Sequence, residues 1–342
     1  MPPTLGEGPA RSISSVASPA PASSELAEAL RSVLEPVLGT GLEVGDVQRM
    51  PGGSSRETWA FSATSRRGPV RRLVLRRDPT GAPASGLVLE ADLLRAAAGA
   101  GVPVPAVVAS GTADSALGAA FVVVGHIEGE ALPRRVQRLA ADTGTGPALT
   151  AQCGRILAAV HGIPPASVPG LSGGDQLEQQ RGLLDHLGQP HPAFELALRW
   201  LAENRPARSG EVVVHGDFRN GNLIVGPDGV RAVLDWELAH RGDPLEDLGW
   251  MTAKAWRFGS ELPVGGLGTV EQLVAGYEGA GGGPVDRQAL TWWETLATLR
   301  WGIICIVQAL THTSGAVRSV ELAAIGRRVC EVEWDLLAMV DR

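Results

Sequence analysis

Hydrophobic and polar positions follow two different periods along the chain. Residues 24–39 carry apolar residues at helical spacing, and from about residue 44 short alternating or β-branched runs are divided by glycine pairs and "RRGP", which favours an antiparallel meander. "LVLEADLLRAAAGAG" predicts a helix, and "VPVPAVVASG" and "AAFVVVGHIEGEAL" predict two more strands. From about residue 130 the pattern is helical. The sequence therefore predicts an α+β fold whose N-terminal part is mostly β and whose larger C-terminal part is mainly helical.

One stretch, "VVVHGDFRNGNLIV" at residues 212–225, interrupts the helical part with closely spaced polar residues. Downstream, "NLIV" and "VRAVLDW" flank the turn signal "GPDG", which predicts a β-hairpin over residues 222–236. The ends of a hairpin meet, so Asn222 and Asp235 are expected to face one point. Their oxygens suit a hard cation such as Mg²⁺. Asp217 precedes Asn222 by five residues, the interval found in the kinase catalytic loop.

Composition excludes several classes of protein. The chain has 342 residues, 44% hydrophobic and 20% charged, with a formal net charge of -7, so a globular protein without a basic field for nucleic acid or an anionic membrane is expected. Residues 1–24 are rich in Pro, Ala and Ser, and are predicted to be a disordered tail and not an export signal. No run of eighteen apolar residues occurs. We therefore expect a cytoplasmic protein, with Cys153, Cys305 and Cys330 as reduced core thiols.

"HGDFRNGN" followed by "LDWE" resembles the aminoglycoside phosphotransferase and choline kinase family, which has a protein-kinase-like fold. "LDWELAHRGDPLEDLGW" is most similar to the branch related to acyl-CoA-dehydrogenase-associated kinase domains. The resemblance implies a bilobal fold: a tail at 1–24, an N-terminal nucleotide-binding lobe at 25–128 with one helix and an antiparallel sheet, a hinge near 124–129, and a helical catalytic and acceptor-binding lobe at 130–342. It also implies a small-molecule kinase that uses ATP or GTP with Mg²⁺.

The resemblance assigns roles within the loop. Asp217 would be the catalytic base, Asn222 and Asp235 the Mg²⁺ ligands, Glu237 a further ligand or contact, and His215 the residue that orients the loop. Arg219 would either meet the transferring phosphoryl group or an anionic substrate, or brace the loop in an ion pair. The alternative is a polar turn in which Asp217 caps the turn and Asn222 satisfies backbone groups.

The N-terminal part is expected to hold the nucleotide. The family's phosphate-binding lysine aligns with Arg76, which can also bind phosphate, and Lys254 is the only lysine in the chain. The adenine-binding hinge departs from the Met-Glu usual in the family, which leaves ATP and GTP both open. The residues implied are Gly52, Gly53, Ser54 and Ser55 over the phosphates, Arg76 with Glu90 as its partner, and Gly125, His126 and Ile127 at the hinge.

The acceptor is predicted only as a class. Residues 129–342 hold 25 Asp and Glu against 19 Lys and Arg, too small an excess to indicate a polycationic aminoglycoside. Five tryptophans could line an apolar pocket, although core packing is their commoner role: Trp250, Trp256, Trp292, Trp293 and Trp301. We expect a small hydroxylated acceptor, not clearly an aminoglycoside, and analogy with the branch adds hydroxylated acyl thioesters. The sequence does not indicate the oligomeric state.

Two other functions stay open. A nucleotide-binding pseudokinase or scaffold is suggested by the changed lysine position and hinge. A metal-dependent hydrolase would use His215, Asp217, Asp235 and His240, with His240 in a helix or loop after the hairpin. His161 is expected to be structural, and Asp243 and Asp247 to cap a helix and brace the loop.

Overall fold

The structure is a computed structural model that describes residues 23–50, 56–66, 68–79 and 86–341. The helices in these ranges are α1 Ser23–Leu38, α2 Leu87–Gly99, α3 Pro133–Thr143, α4 Gly146–His161, α5 Gln176–Leu187, α6 Pro192–Glu203, α7 Leu245–Thr252, α8 Val270–Gly279, α9 Arg287–Thr313, α10 Val320–Gly326 and α11 Val329–Val340. The strands are β1 Glu43–Arg49, β2 Glu57–Thr64, β3 Arg71–Arg77, β4 Val107–Gly111, β5 Phe121–Gly125, β6 Val212–Val214, β7 Leu223–Gly226, β8 Gly229–Val233 and β9 His240–Gly242.

The predicted α+β fold with an N-terminal sheet is confirmed. Strands β1 to β5 form one sheet in the order β1-β2-β3-β5-β4, and β1, β2 and β3 pair as an antiparallel meander. By contacts the described residues group into two compact units, one holding those up to residue 79 together with 111–121, the other holding 86–110 and 122–341. The predicted lobe boundaries and the hinge near 124–129 stay a prediction.

Alternation along β3 separates two neighbouring arginines in the first unit. Leu73, Leu75 and Arg77 are buried, while Arg76 is half-buried on the other face of the strand, because successive strand residues point to opposite faces. The Nε of Arg77 donates to Oε2 of Glu57 at 2.8 Å. Arg77 thus forms a buried ion pair with Glu57, and Arg76 lies on the opposite face of the strand.

Close helix packing and a long central helix build the second unit. A Cβ added at Gly154 in α4 would lie 2.1 Å from the carbonyl oxygen of Leu273 in α8, so the two helices touch through their backbones. The 27-residue α9 packs large buried side chains against α6, among them Trp292 and Phe194. Burying each such side chain contributes about 1.5–3 kcal/mol.

Two small antiparallel sheets flank residues 215–222. Strand β7 pairs with β8, with Leu223 opposite Val233, which confirms the predicted hairpin. Strand β6 pairs with β9, with Val214 opposite His240. The prediction that His240 lies in a helix or loop is therefore wrong, because the buried β6 needs backbone hydrogen-bond partners and β9 supplies them.

Two of the three predicted core thiols are confirmed as buried, and burial raises the pKa of Cys153 to about 12 and of Cys305 to about 12. Cys330 is exposed, so the prediction is wrong for this residue. It is the second residue of α11 and lies on the protein surface.

Within the described ranges, no helix combines the length and apolar content required to cross a bilayer.

Candidate functional site

The backbone at the start of the loop is held by Asp247 of α7. The amides of His215 and Gly216 donate to its two carboxylate oxygens at 2.8 and 2.9 Å. Burial alone would raise the pKa of Asp247, but hydrogen bonds from the His161 ring and from the backbone amide of His215 outweigh it and hold that pKa below its ordinary value. Asp247 is completely buried. It therefore braces the loop as an ionised group, as predicted, and His161 supports it from 3.2 Å.

Gly216 lets the chain turn sharply after β6. Its φ is 79°, a left-handed conformation that costs a residue with a Cβ about 1 kcal/mol or more. A Cβ here would also lie 2.4 Å from the carbonyl oxygen of Leu238. Both facts require glycine, so the turn that presents Asp217 depends on this position.

His215 fastens the loop to the end of β8. Its Nδ1 accepts from the amide of Asp217 at 3.1 Å, and its Nε2 donates to the carbonyl oxygen of Leu234 at 3.1 Å. Burial lowers the pKa of His215, and the charges of nearby aspartates counter only part of that effect. The neutral ring with its proton on Nε2 satisfies both contacts, which supports the predicted orienting role.

The carboxylate of Asp217 is held by three side-chain donors. Oδ1 accepts from Nε of Arg219 at 2.9 Å and from the indole Nε1 of Trp250 at 2.8 Å. Oδ2 accepts from Nδ2 of Asn222 at 2.6 Å. A carboxylate fixed from three directions cannot rotate freely, so its position in the loop is well defined.

Arg219 pairs with Asp217 and stacks on an aromatic ring. Its guanidinium carbon lies 4.5 Å from the ring centre of Trp256. Of the two predicted roles, the loop-bracing ion pair is the arrangement seen. Contact with a phosphoryl group or an anionic substrate stays a prediction.

The ends of the hairpin supply a donor set that fits a hard cation. The amide of Leu234 donates to the carbonyl oxygen of Asn222 at 2.8 Å, so Asn222 and Asp235 lie on adjacent strand ends. Nδ2 of Asn222 donates to Asp217, and among the described residues none bonds to its amide oxygen, which could therefore hold a metal. Among the described residues no three His, Cys, Asp or Glu side chains form a metal-binding group. Two protein ligands, with water and phosphate completing the shell, suit Mg²⁺ better than a transition metal.

Two residues after Asp235, Glu237 is exposed, and its role as a further ligand stays a prediction. Asp235 itself adopts a φ of 66°, a conformation that aspartate tolerates better than most residues. The hairpin thus turns sharply at the proposed ligand.

The roles of the other predicted site residues in nucleotide binding stay predictions. Gly52, Gly53, Ser54 and Ser55 fall outside the described residues. Glu90 is buried in the first turn of α2, Arg76 lies in β3, and Gly125 ends β5 with its amide donating to Ala106 at 2.9 Å. His126 and Ile127 follow directly.

The two histidines of the hydrolase alternative are already engaged. His215 is bonded as described, and His240 contacts the carbonyl oxygen of Leu238 at 2.9 Å and Oε2 of Glu246 at 3.0 Å. These bonds use both ring nitrogens of each imidazole, so neither histidine has a nitrogen left to bind a metal. The geometry therefore gives the hydrolase no support.

The contact of Trp250 with Asp217 was not predicted, because the sequence indicates this tryptophan only as a pocket or core residue. Trp250, Trp256 and Trp292 are buried, as core packing predicts. Half-buried Trp301 lies 4.8 Å from Trp256, ring centre to ring centre, and lines a cavity of about 850 Å³ together with charged and aromatic residues. Those residues include Arg134, Lys254, Arg257, Phe258 and Trp334.

Comparisons with known proteins agree with this geometry. Residues 46–293 match the phosphotransferase enzyme family. The mouse protein acyl-CoA dehydrogenase family member 10 is 26% identical over 344 residues, which cover 90% of this chain and 31% of that protein. The chain thus spans about a third of this relative's length.

Two solved structures share the fold. One is a Ralstonia eutropha protein with a provisional assignment as an aminoglycoside phosphotransferase, with a TM-score of 0.71 and 23% identity over 92% of this chain and 98% of that one. The other is a thermostable mutant of aminoglycoside phosphotransferase APH(4)-Ia, solved with AMP-PNP and hygromycin B, with a TM-score of 0.60 and 18% identity over 92% and 98%.

Proposed function

Because the chain belongs to the phosphotransferase enzyme family, we propose that it is a small-molecule kinase that transfers the γ-phosphoryl group of ATP or GTP to a hydroxyl group. The observation that carries this proposal is the Asp217 carboxylate, fixed by Arg219, Trp250 and Asn222 on a braced loop. Phosphoryl transfer requires mainly positioning and charge stabilisation, and this arrangement supplies the positioning.

In the proposed reaction the acceptor hydroxyl oxygen attacks the γ-phosphorus, and its proton passes to the carboxylate of Asp217. The bond from the γ-phosphorus to its bridging oxygen breaks, and the nucleoside diphosphate leaves with that oxygen. Asn222 and Asp235 are the proposed Mg²⁺ ligands, and the ion would neutralise charge on the phosphate oxygens. Asp247 and His215 keep the loop in place and take no part in proton transfer.

The proposed acceptor is a small hydroxylated molecule. The cavity beside Trp301 is a candidate for its position, since Trp301 packs against Trp256, on which Arg219 stacks. Its lining mixes aromatic rings with residues of both charges, such as Lys254, which bonds to Asp335. Such a lining favours an acceptor with both apolar and charged parts over a polycation.

Ligand-dependent stability tests the proposal without knowledge of the acceptor. The melting temperature is measured with ATP or GTP, with and without Mg²⁺, and with Zn²⁺ alone. We expect nucleotide to stabilise the protein only when Mg²⁺ is present. Stabilisation by Zn²⁺ alone would overturn the kinase proposal in favour of a hydrolase.

Substitutions then separate the two proposed aspartate roles. Asp217→Asn should abolish MgATP turnover and leave nucleotide binding nearly intact, whereas Asp235→Asn should weaken the binding of the Mg²⁺-nucleotide itself. Asp228→Asn, at the exposed turn of the same hairpin, is the control and should change neither. Turnover by Asp217→Asn equal to that of the wild type would refute the proposed active site.

A screen of hydroxylated metabolites, antibiotics and acyl thioesters for acceptor-dependent ADP formation separates a kinase from a pseudokinase. A pseudokinase would bind nucleotide and show no turnover with any acceptor.

A further inference from the structure

The indole of Trp250 makes a buried hydrogen bond to the proposed base. Trp250 is 2% exposed and Asp217 is 8% exposed, so little water competes for the 2.8 Å contact between Nε1 and Oδ1. A carboxylate offers about four acceptor positions, two on each oxygen. Arg219 and Trp250 fill both positions on Oδ1, and Asn222 fills one on Oδ2. Among the residues that the structure describes, none fills the second position on Oδ2.

We infer that Trp250 is a positioning residue, which with Arg219 occupies Oδ1 of Asp217 and thereby assigns Oδ2 as the atom that receives the acceptor hydroxyl's proton. The inference rests on the proposed function, because it names the oxygen that performs the proposed proton transfer. Without the indole, Oδ1 has a vacant acceptor position. The hydroxyl then has two competing positions on the carboxylate, and only one of them is aligned for attack.

The surroundings of Trp250 keep its indole in place. The guanidinium of Arg300, a residue of α9, lies 4.6 Å from the ring centre of Trp250. Its Nη1 donates to Oε1 of Glu246 at 3.3 Å. The ring of Trp256 lies 5.1 Å away. A Cβ added at Gly249 would lie 2.7 Å from the backbone of Trp293 in α9, so α7 and α9 touch directly at this turn. The donor therefore has little freedom to leave Asp217.

Loss of this donor is expected to lower kcat and not nucleotide affinity, since the contact orients a reacting group and touches no nucleotide. Trp250→Phe removes the N–H and keeps an aromatic ring in the space. Trp292→Phe is the matched control, because it removes another buried indole hydrogen bond, the 2.9 Å contact of Nε1 with the carbonyl oxygen of Leu201, in a core cluster away from the loop.

The first test is an NMR measurement that needs no turnover. The full ¹⁵N-labelled chain has nine indole signals, and Trp250→Phe identifies the one that belongs to Trp250. A hydrogen bond to a carboxylate moves an indole proton downfield, so Asp217→Ala should move the Trp250 signal upfield and leave the Trp292 signal in place. An unchanged Trp250 signal would overturn the inference.

The second test measures MgATP hydrolysis, with water as the acceptor, in the whole 342-residue chain. We expect kcat of Trp250→Phe to fall between about 10-fold and 100-fold, as for other partners that orient an active-site group, with KM for MgATP nearly unchanged. Trp292→Phe should keep both constants while losing stability to urea. Equal kcat in Trp250→Phe and the wild type, with Asp217→Asn inactive, would overturn the inference alone. Asp217→Asn as active as the wild type would overturn the proposed function and the inference with it.

Discussion

Asp247→Asn tests whether the loop geometry depends on one buried carboxylate. The substitution keeps the size of the side chain but replaces one acceptor oxygen with a donor that faces a backbone amide. Asp247 accepts from His215 and Gly216 at 2.8 and 2.9 Å, and a hydrogen bond to a charged group contributes about 1.5–3 kcal/mol. One bond is lost, the other loses its charge assistance, and two donors are opposed in a site closed to bulk solvent. We expect the free energy of unfolding to fall by about 3–5 kcal/mol.

Urea unfolding measures this loss, with the slope compared between variants to confirm that the unfolding transition is unchanged. Asp243→Asn is the control. Asp243 is also buried and accepts from two backbone amides, those of Ser209 at 2.7 Å and Leu245 at 2.9 Å, neither of which belongs to the loop.

Both variants should lose stability, and only Asp247→Asn should also lose MgATP hydrolysis in conditions where it remains folded. A change of less than about 0.5 kcal/mol in Asp247→Asn, the usual range for a surface substitution, would refute the role given to Asp247. An equal loss of kcat in Asp243→Asn would show that the effect on turnover follows from general destabilisation.

Three further predictions follow from the geometry. Gly216→Ala should lower the melting temperature and turnover together, because its Cβ would meet the carbonyl oxygen of Leu238; unchanged turnover would contradict the need for glycine. Gly154→Ala should cost more than about 2 kcal/mol in urea unfolding by forcing α4 from α8, whereas Gly182→Ala, with open space around it in α5, should stabilise by about 0.5–1 kcal/mol; equal effects would refute the close packing. Burial alone would lower the pKa of His240. The hydrogen bond to Glu246 and the negative charge of that residue outweigh this effect, so the pKa of His240 in the folded protein is raised. The stability that His240 contributes is therefore fully present below about pH 6.5, its unfolded value, and is lost as pH rises through the folded pKa. The stability difference between the wild type and His240→Gln should shrink as pH rises, and a difference that grows with pH would contradict this sign.

Local patterns were enough to predict the hairpin and the loop. The apolar runs at 212–214 and 223–225 and the turn "GPDG" are signals that depend only on neighbours a few residues away. The interval from Asp217 to Asn222 is equally local, and the two side chains do meet. Helices α4 and α9 could also be predicted from local pattern, because the period of their apolar residues marks the faces that are buried.

Long-range contacts could not be predicted in the same way. Trp250 follows Asp217 by 33 positions, and nothing in the order of residues distinguishes its indole from those that only fill the core. His240 was placed wrongly because pairing of β9 with β6 depends on residues 26 positions apart. On β3, Arg76 and Arg77 are identical in type, and only the register with β2, where Arg77 faces Glu57, shows which one is buried.

One face of α7 forms hydrogen bonds with both the backbone of the loop and the carboxylate of Asp217. Asp247 and Trp250 are three residues apart in this helix, so their side chains project on the same side. Asp247 binds the amides that set the course of the chain, and Trp250 binds Oδ1 of the carboxylate that the chain presents. Because Gly249 brings α7 against the backbone of α9, a small shift of α9 would move both contacts at once. Substitutions in α9 near Arg300 should therefore change turnover without touching Asp217.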